Sequence, residues 1–155
     1  MFYSVLCLIF NKYSDMKWIL CTLLISLSFN CFAGQQAERA ILALLNKQVN
    51  AWNDGNLTRY MEGYWNSDSL VFIGKKGCTY GYEATLRNYQ KAYPDKAAMG
   101  QLHFSHLHFK KISRRNYMVI GAWHLQRSMG NLEGSFSLLL RKRKMHWHII
   151  ADHSS

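Results

Sequence analysis

A chain of 155 residues corresponds to one compact domain of ordinary size. Lys and Arg number 19 against 9 Asp and Glu, a net charge of +10, and a composition 49% apolar and 18% charged excludes a disordered, solvating chain. One proline and ten glycines exclude a collagen-like or Pro-rich linker protein.

From Met16 the sequence reads Met-Lys, an apolar run from Trp18 to Phe29, then Asn30-Cys31-Phe32-Ala33. A short positive start, an apolar core and small residues at 31 and 33 predict an export signal cut after Ala33. The run is shorter than the roughly 20 residues that span a bilayer, although an uncleaved anchor is the alternative. Residues 1–15 carry a second short apolar run, Phe2 to Phe10, and translation from Met16 would leave them outside the fold. The expected division is a leader over 1–33 and a domain over 34–155, periplasmic or secreted. Cys7, Cys21 and Cys31 fall in the leader, so the domain retains Cys78 alone and forms no internal disulfide. The leader carries only Lys12, Lys17 and Asp15, so the positive charge stays with the domain.

Ile41, Leu44, Leu45, Val49 and Trp52 form a helical stripe across 37–52. Gly55 supplies a stop, and Asn56 can cap a second helix that puts Leu57, Tyr60, Met61 and Tyr64 on one face. Leu70–Ile73 reads as a short strand ended by Gly74-Lys75-Lys76-Gly77. Tyr82, Leu86, Tyr89 and Tyr93 resume helical spacing up to Pro94. The last third differs. Gln101–Ile112, Tyr117–Met129, Glu133–Arg143 and Met145–His153 alternate and are rich in aromatic and β-branched residues, predicting four strands in an antiparallel meander. Helices first and sheet last is an α+β arrangement.

The segment Ala51-Trp52-Asn53-Asp54-Gly55-Asn56-Leu57-Thr58-Arg59-Tyr60-Met61, followed by Tyr64 and Leu70-Val71-Phe72, resembles the opening of the ketosteroid-isomerase-like (nuclear transport factor 2-like) superfamily. Gly81-Tyr82-Glu83-Ala84 resembles its third-helix entry. Gly121-Ala122-Trp123, Gly134-Ser135-Phe136 and Trp147–Ser155 resemble its closing strands. The resemblance covers residues 37–155 and is nearest to small, exported, single-domain members. It implies a cystatin-like, cone-shaped roll, with N-terminal helices packed on a curved antiparallel meander around an apolar pocket, often in a dimer. The superfamily's functions are diverse, so function has to come from the residues.

Strand alternation puts Trp123 and Arg127 on one face, Phe136 on the matching face of the next strand, and Trp147, Ile149, Ala151 and His153 on that of the last. If these faces meet the helices, a ligand pocket forms from Tyr60, Tyr64, Phe72, Trp123 and Phe136, suited to a small apolar or aromatic ligand. His153 is then the candidate base, histidine being the side-chain type suited to proton transfer at neutral pH, and Arg127 the candidate stabiliser of developing negative charge. A carboxylate orienting His153 would have to be Asp54, Asp68 or Glu133, because alternation sends Asp152 to the opposite face. Ketosteroid isomerases use a pocket aspartate; no acidic residue stands between Gly100 and Leu132, so their chemistry is not carried over. The same residues serve a binding module, and a third reading is a structural dimer whose sheet forms the interface, with the cavity filled by its own aromatics.

No cofactor or metal is expected. His106/His108 and His146/His148 each place two imidazoles about 7 Å apart on a strand face, but two strands separate the pairs. Lys110, Lys111, Arg114 and Arg115 flank one turn, and Arg141, Lys142, Arg143 and Lys144 flank the next but one. Alternate turns of a meander share an end, so eight cations should converge there and favour weak contact with an anionic surface. Nucleic acid is not the expected partner, because export argues against it and no glycine-aromatic RNA-binding signature is present.

Overall fold

Ile41, Leu45, Gln48 and Trp52 recur at i, i+4, i+7 and i+11, and all four are buried on one side of the first helix, α1 (34–53). The computed structural model describes residues 34–155, so the leader and its cleavage point lie outside the described residues. Residues Arg39–Ser155 form one compact unit. Among the described residues, no helix is long and apolar enough to cross a membrane.

Gly55, at φ +78°, ends α1. Its N–H donates to the Trp52 carbonyl and that of Asn56 to the Ala51 carbonyl, both at 2.8 Å, the paired bonds of a left-handed helix stop. Asn56 then caps α2 (Leu57–Met61), its side chain accepting from the Arg59 N–H at 2.9 Å. The buried Gln48 amide donates to the Tyr60 carbonyl at 3.1 Å and ties the two helices together.

The helix ends at Met61 rather than reaching Tyr64. Instead, Tyr64 bridges in parallel to Ile149, with Trp65 N–H on the Ile149 carbonyl (2.8 Å) and Ile149 N–H on that of Gly63 (2.9 Å). After β1 (Val71–Gly74) the chain turns through Lys75-Lys76 into β2 (Gly77–Tyr80), a hairpin whose second strand the sequence pattern does not announce. This edge strand is short, mostly exposed and opens on glycine, so it carries no alternation to read. Helix α3 (Tyr82–Ala92) stops before Pro94. The four-residue α4 (Lys96–Met99), also unforeseen, is capped by Asp95, which accepts from the Ala98 N–H at 2.8 Å.

Strands β3 (Gln101–Lys111), β4 (Asn116–Gln126), β5 (Leu132–Arg143) and β6 (His146–Ser154) form the antiparallel meander. The full order is β2-β1-β6-β5-β4-β3, with β1 running parallel to β6. The result is the α+β roll expected from the sequence, helices against a curved six-stranded sheet. Asn53 docks α1 onto the start of β3: its side chain accepts from the Leu102 N–H (2.7 Å) and donates to the Leu102 carbonyl (3.3 Å).

Two bulges change side-chain phase. On β3 the register shifts between Ser105 and His108, with His106 at φ +53°. On β6, Leu140 pairs with Ile149 and Leu139 with Ala151, leaving Ile150 as an extra residue. Trp147 and Ile149 point into the core before this bulge, and after it the inward residue is Asp152.

Candidate functional site

The concave side of the sheet and the helices enclose a cavity of about 550 Å³. Its strand contributions are Leu102 and Phe104 of β3, Trp123 and Leu125 of β4, Phe136 and Leu138 of β5, and Asp152 and Ser154 of β6. All belong to the sheet end that carries the β4–β5 turn. The helices add Gln48, Trp52, Tyr60, Tyr89 and Tyr93, and β1 adds Phe72. Exposed lining residues mark the mouth: Lys75 and Lys76 in the β1–β2 turn, Lys91 on α3, Leu132 and Glu133 at the start of β5.

Aromatic edges meet faces along the helical wall. Tyr60 lies 5.0 Å from Trp52 and 5.4 Å from Tyr89, both near-perpendicular, while Phe72 packs on Tyr89 at 5.6 Å. The Trp52 indole is fixed by a 3.1 Å bond to the Met99 carbonyl. Phe104 and Phe136 pair at 5.1 Å on the sheet side.

The polar centre of this apolar chamber is Asp152, 3% exposed. One carboxylate oxygen accepts from the Tyr64 hydroxyl at 2.6 Å and the other from Ser154 Oγ at 2.8 Å. The hydroxyls of Tyr60 and Tyr89 stand 3.4 and 3.5 Å from that of Tyr64. Because Tyr64 has one proton and gives it to Asp152, both neighbours must act as donors to Tyr64. At those lengths the two bonds are weak and easily surrendered to a better acceptor.

Burial pushes the Asp152 carboxyl up to about 6, against the opposing pull of the Tyr64 and Ser154 hydrogen bonds and the His153 charge. Burial, reinforced by the Asp152 charge, pushes Tyr60 up to about 12. Tyr64 and Tyr89 are raised well above the usual phenol value, again mainly by burial. Near neutral pH the site therefore holds three protonated phenols around one carboxylate that is largely ionised but protonates under mild acid. Such a group can take up and return a proton.

The structure brings Tyr60, Tyr64, Phe72, Trp123 and Phe136 together around the cavity. It does not bring in the two residues singled out for chemistry. His153 is exposed and does not line the chamber, because the Ile150 bulge shifts the alternation by one and gives the inward place to Asp152. The carboxylates considered as its orienters are also placed elsewhere: Glu133 pairs with His124 (3.1 Å) and Asp54 with Arg59 (3.3 Å). Arg127 lies just past β4 and spends its guanidinium on backbone carbonyls, Gly130 at 2.8 Å and Ala98 at 3.2 Å. It pins the β4–β5 turn to α4 and does not line the cavity.

Sequence reasoning missed Asp152, Trp52, Tyr89 and Tyr93 as site residues. The three aromatics did carry a signal, since Trp52 closes the stripe of the first helix and Tyr89 and Tyr93 belong to that of the third. Among the described residues no three His, Cys, Asp or Glu side chains gather as a metal site. Cys78 is free and exposed on β2.

At the opposite end of the sheet the β3–β4 and β5–β6 turns lie side by side. Lys142 N–H donates to the Arg115 carbonyl at 2.8 Å and Arg141 Nε to the Asn116 side chain at 3.3 Å. These turns hold Lys110, Lys111, Arg114, Arg115, Arg141, Lys142, Arg143 and Lys144, with the Arg143 guanidinium 4.8 Å above the Trp65 ring.

No family model and no curated protein matches the chain. Among solved structures, it is similar to an NTF-2-like protein of unknown function from Shewanella oneidensis MR-1, at 39% identity and a TM-score of 0.73, over 77% of this chain and 98% of that one. It shares its fold with LinA (14% identity, TM-score 0.67, 80% and 88% covered). The same holds for a putative scytalone dehydratase from Novosphingobium aromaticivorans DSM 12444 (11%, 0.63, 79% and 85%).

Proposed function

The chain belongs to the NTF2-like superfamily, and from that premise we propose that it binds a small, largely apolar or aromatic molecule and moves a proton on it without a cofactor. One observation carries the reading: a buried carboxylate, Asp152, faces an aromatic cavity with a 2.6 Å tyrosine partner. A chamber that was only core would be filled by its own rings, whereas this one keeps about 550 Å³ open. The fold is also that of a putative dehydratase, so the architecture is compatible with catalysis on a small molecule.

In the proposed step the Asp152 carboxylate removes a proton from carbon or oxygen of the ligand and becomes the carboxylic acid. Negative charge then develops on a ligand oxygen, and the Tyr60 and Tyr89 hydroxyls turn from Tyr64 to donate to it. Return of the proton from Asp152 to the same or another ligand atom restores the carboxylate. Export behind a leader cut near Ala33 belongs to the proposal, supported by the 16–33 sequence pattern.

The test uses 2-tetralone, an apolar ketone with exchangeable α-protons. Binding is read from quenching of tryptophan fluorescence, to which Trp52 and Trp123 on the cavity wall contribute, and exchange by NMR in deuterated water. The expected result is saturable quenching and accelerated exchange, with exchange but not quenching lost in Asp152→Asn. Exchange that is unchanged in Asp152→Asn, or absence of quenching, overturns the reading.

A second reading, a dimeric interaction module whose basic sheet end contacts anionic surfaces, draws support from the side-by-side hydrogen bonding of the two basic turns. It concerns the other end of the sheet and is compatible with the first.

A further inference from the structure

Between Gln101 and Ser155 the chain has nine Lys or Arg and two carboxylates. Eight of the nine cations stand at the β3–β4 and β5–β6 turns. Both carboxylates, Glu133 at the start of β5 and Asp152 at the end of β6, stand at the other end. The meander is therefore strongly polarised along its strands. Neither ion pair seen among the described residues neutralises any of the eight.

A basic end alone would suit any polyanion. Its two turns, however, also present apolar side chains to water: Ile112 is 52% exposed and Met145 is 77% exposed. The β5–β6 connection is a two-residue turn, Lys144-Met145, between the paired residues Arg143 and His146. Such turns favour Asn-Gly or glycine, yet here Lys144 adopts φ +53° and Met145 points away from the fold. The turn thus carries backbone strain at Lys144 and exposed apolar surface at Met145. Cations surrounding protruding apolar tips match a surface with anionic headgroups over a hydrocarbon interior. Backbone hydrogen bonding between the turns holds both tips in one fixed platform.

We infer that this end of the sheet is a docking surface for an anionic lipid bilayer, with Ile112 and Met145 entering the headgroup layer and the eight cations binding the headgroups. This rests on the anionic-surface reading above and deepens it to one partner. It has a geometric corollary: the cavity residues occupy the other end of the same strands, so docking leaves the cavity mouth facing away from the lipid.

The test compares the full chain with two variants, Ile112→Ser/Met145→Ser and Lys110→Gln/Lys111→Gln/Arg114→Gln/Arg115→Gln. All three share residues 1–33, so any contribution of that segment cancels. Each is measured by cosedimentation with phosphatidylglycerol/phosphatidylcholine vesicles and with phosphatidylcholine vesicles, and by elution from immobilised heparin. A thermal melt of each confirms that the fold is kept. The expected result is binding to the anionic vesicles that falls about tenfold in the tip variant, whose heparin elution is unchanged. The charge variant should weaken on both supports. Vesicle binding by the tip variant equal to that of the parent overturns the bilayer inference but leaves the anionic-surface reading standing. So does retention on heparin without vesicle binding, which would identify a water-borne polyanion as partner. Unchanged binding by the charge variant on both supports overturns both readings.

Discussion

The Tyr64 hydroxyl donates a 2.6 Å hydrogen bond to the Asp152 carboxylate across 88 residues of chain, inside a largely apolar chamber. Both partners are pinned by backbone: Tyr64 by its bridge to Ile149 on β6, and Asp152 by the β6 pairing with β5 and β1. The backbone thus holds donor and carboxylate against each other at a buried position, and the site must tolerate a charge that burial disfavours.

That cost gives a pH signature. The folded-state value of Asp152 is raised to about 6 from an ordinary 3.8, so between those values the folded chain holds a proton that the unfolded chain has released. Stability therefore declines as pH rises from about 4 to 6 and levels off above, and the two-unit shift is worth about 3 kcal/mol. Asp152→Asn keeps an oxygen to accept from Tyr64 but removes the charge. It should be more stable than the parent by up to about 3 kcal/mol at pH 7–8 and little different at pH 4. Urea unfolding of both proteins across this range checks it, and parallel pH profiles would refute the assigned burial cost.

Removing the donor has a different effect. Tyr64→Phe leaves one Asp152 oxygen without its partner and leaves Tyr60 and Tyr89 without their acceptor. The loss should cost about 1–3 kcal/mol at pH 8, where the carboxylate is charged, and less at pH 4. Because the Tyr64 bond opposes the effect of burial, Asp152 should titrate higher in the variant. The pH midpoint of proton exchange should move up with it.

The roll itself was legible because its elements advertise themselves. The Ile41–Trp52 stripe, the Gly55-Asn56 stop and cap, and four long alternating strands leave little freedom, and the resemblance added the curvature. The cavity's aromatic wall was legible for the same reason at Tyr60, Trp123 and Phe136, which lie on faces that periodicity assigns inward, whereas Tyr64 reaches the cavity from its bridge to Ile149 rather than from a helix. The chemical centre was not. Parity along β6 assigns His153 inward and Asp152 outward, and the single bulged residue Ile150 inverts that assignment. Nothing in Ile149-Ile150-Ala151 marks a bulge, because its cause is the long-range pairing of β6 with β5. Arg127 was misplaced for a related reason: alternation extends the strand past Gln126, whereas the turn begins there and captures the guanidinium.

Exchanging the two neighbours tests this correction directly. His153→Gln, at an exposed position, should leave 2-tetralone exchange within about twofold of the parent and shift the melting temperature little. Asp152→Asn should abolish the exchange. In the parent, exchange should rise with pH through about 6 as the base ionises. Loss of exchange in His153→Gln with Asp152→Asn unaffected would restore the histidine as base.

Gly121 links packing to the cavity. It lies opposite the β3 bulge, and a Cβ there would stand 2.7 Å from Phe136 Cζ and 2.9 Å from Leu107 Cδ2. Both are far ends of side chains and can give way, and Phe136 borders the open cavity. In Gly121→Ala the Phe136 ring should therefore swing into that space rather than strain the sheet. The expected stability loss is modest, about 1 kcal/mol, at the low end for overpacking. Ligand affinity should fall much further, because the displaced ring takes volume the ligand needs. Melting temperature and 2-tetralone quenching measured on one sample separate the two effects. A large stability loss with unchanged affinity would mean that the ring stays in place and the sheet absorbs the strain.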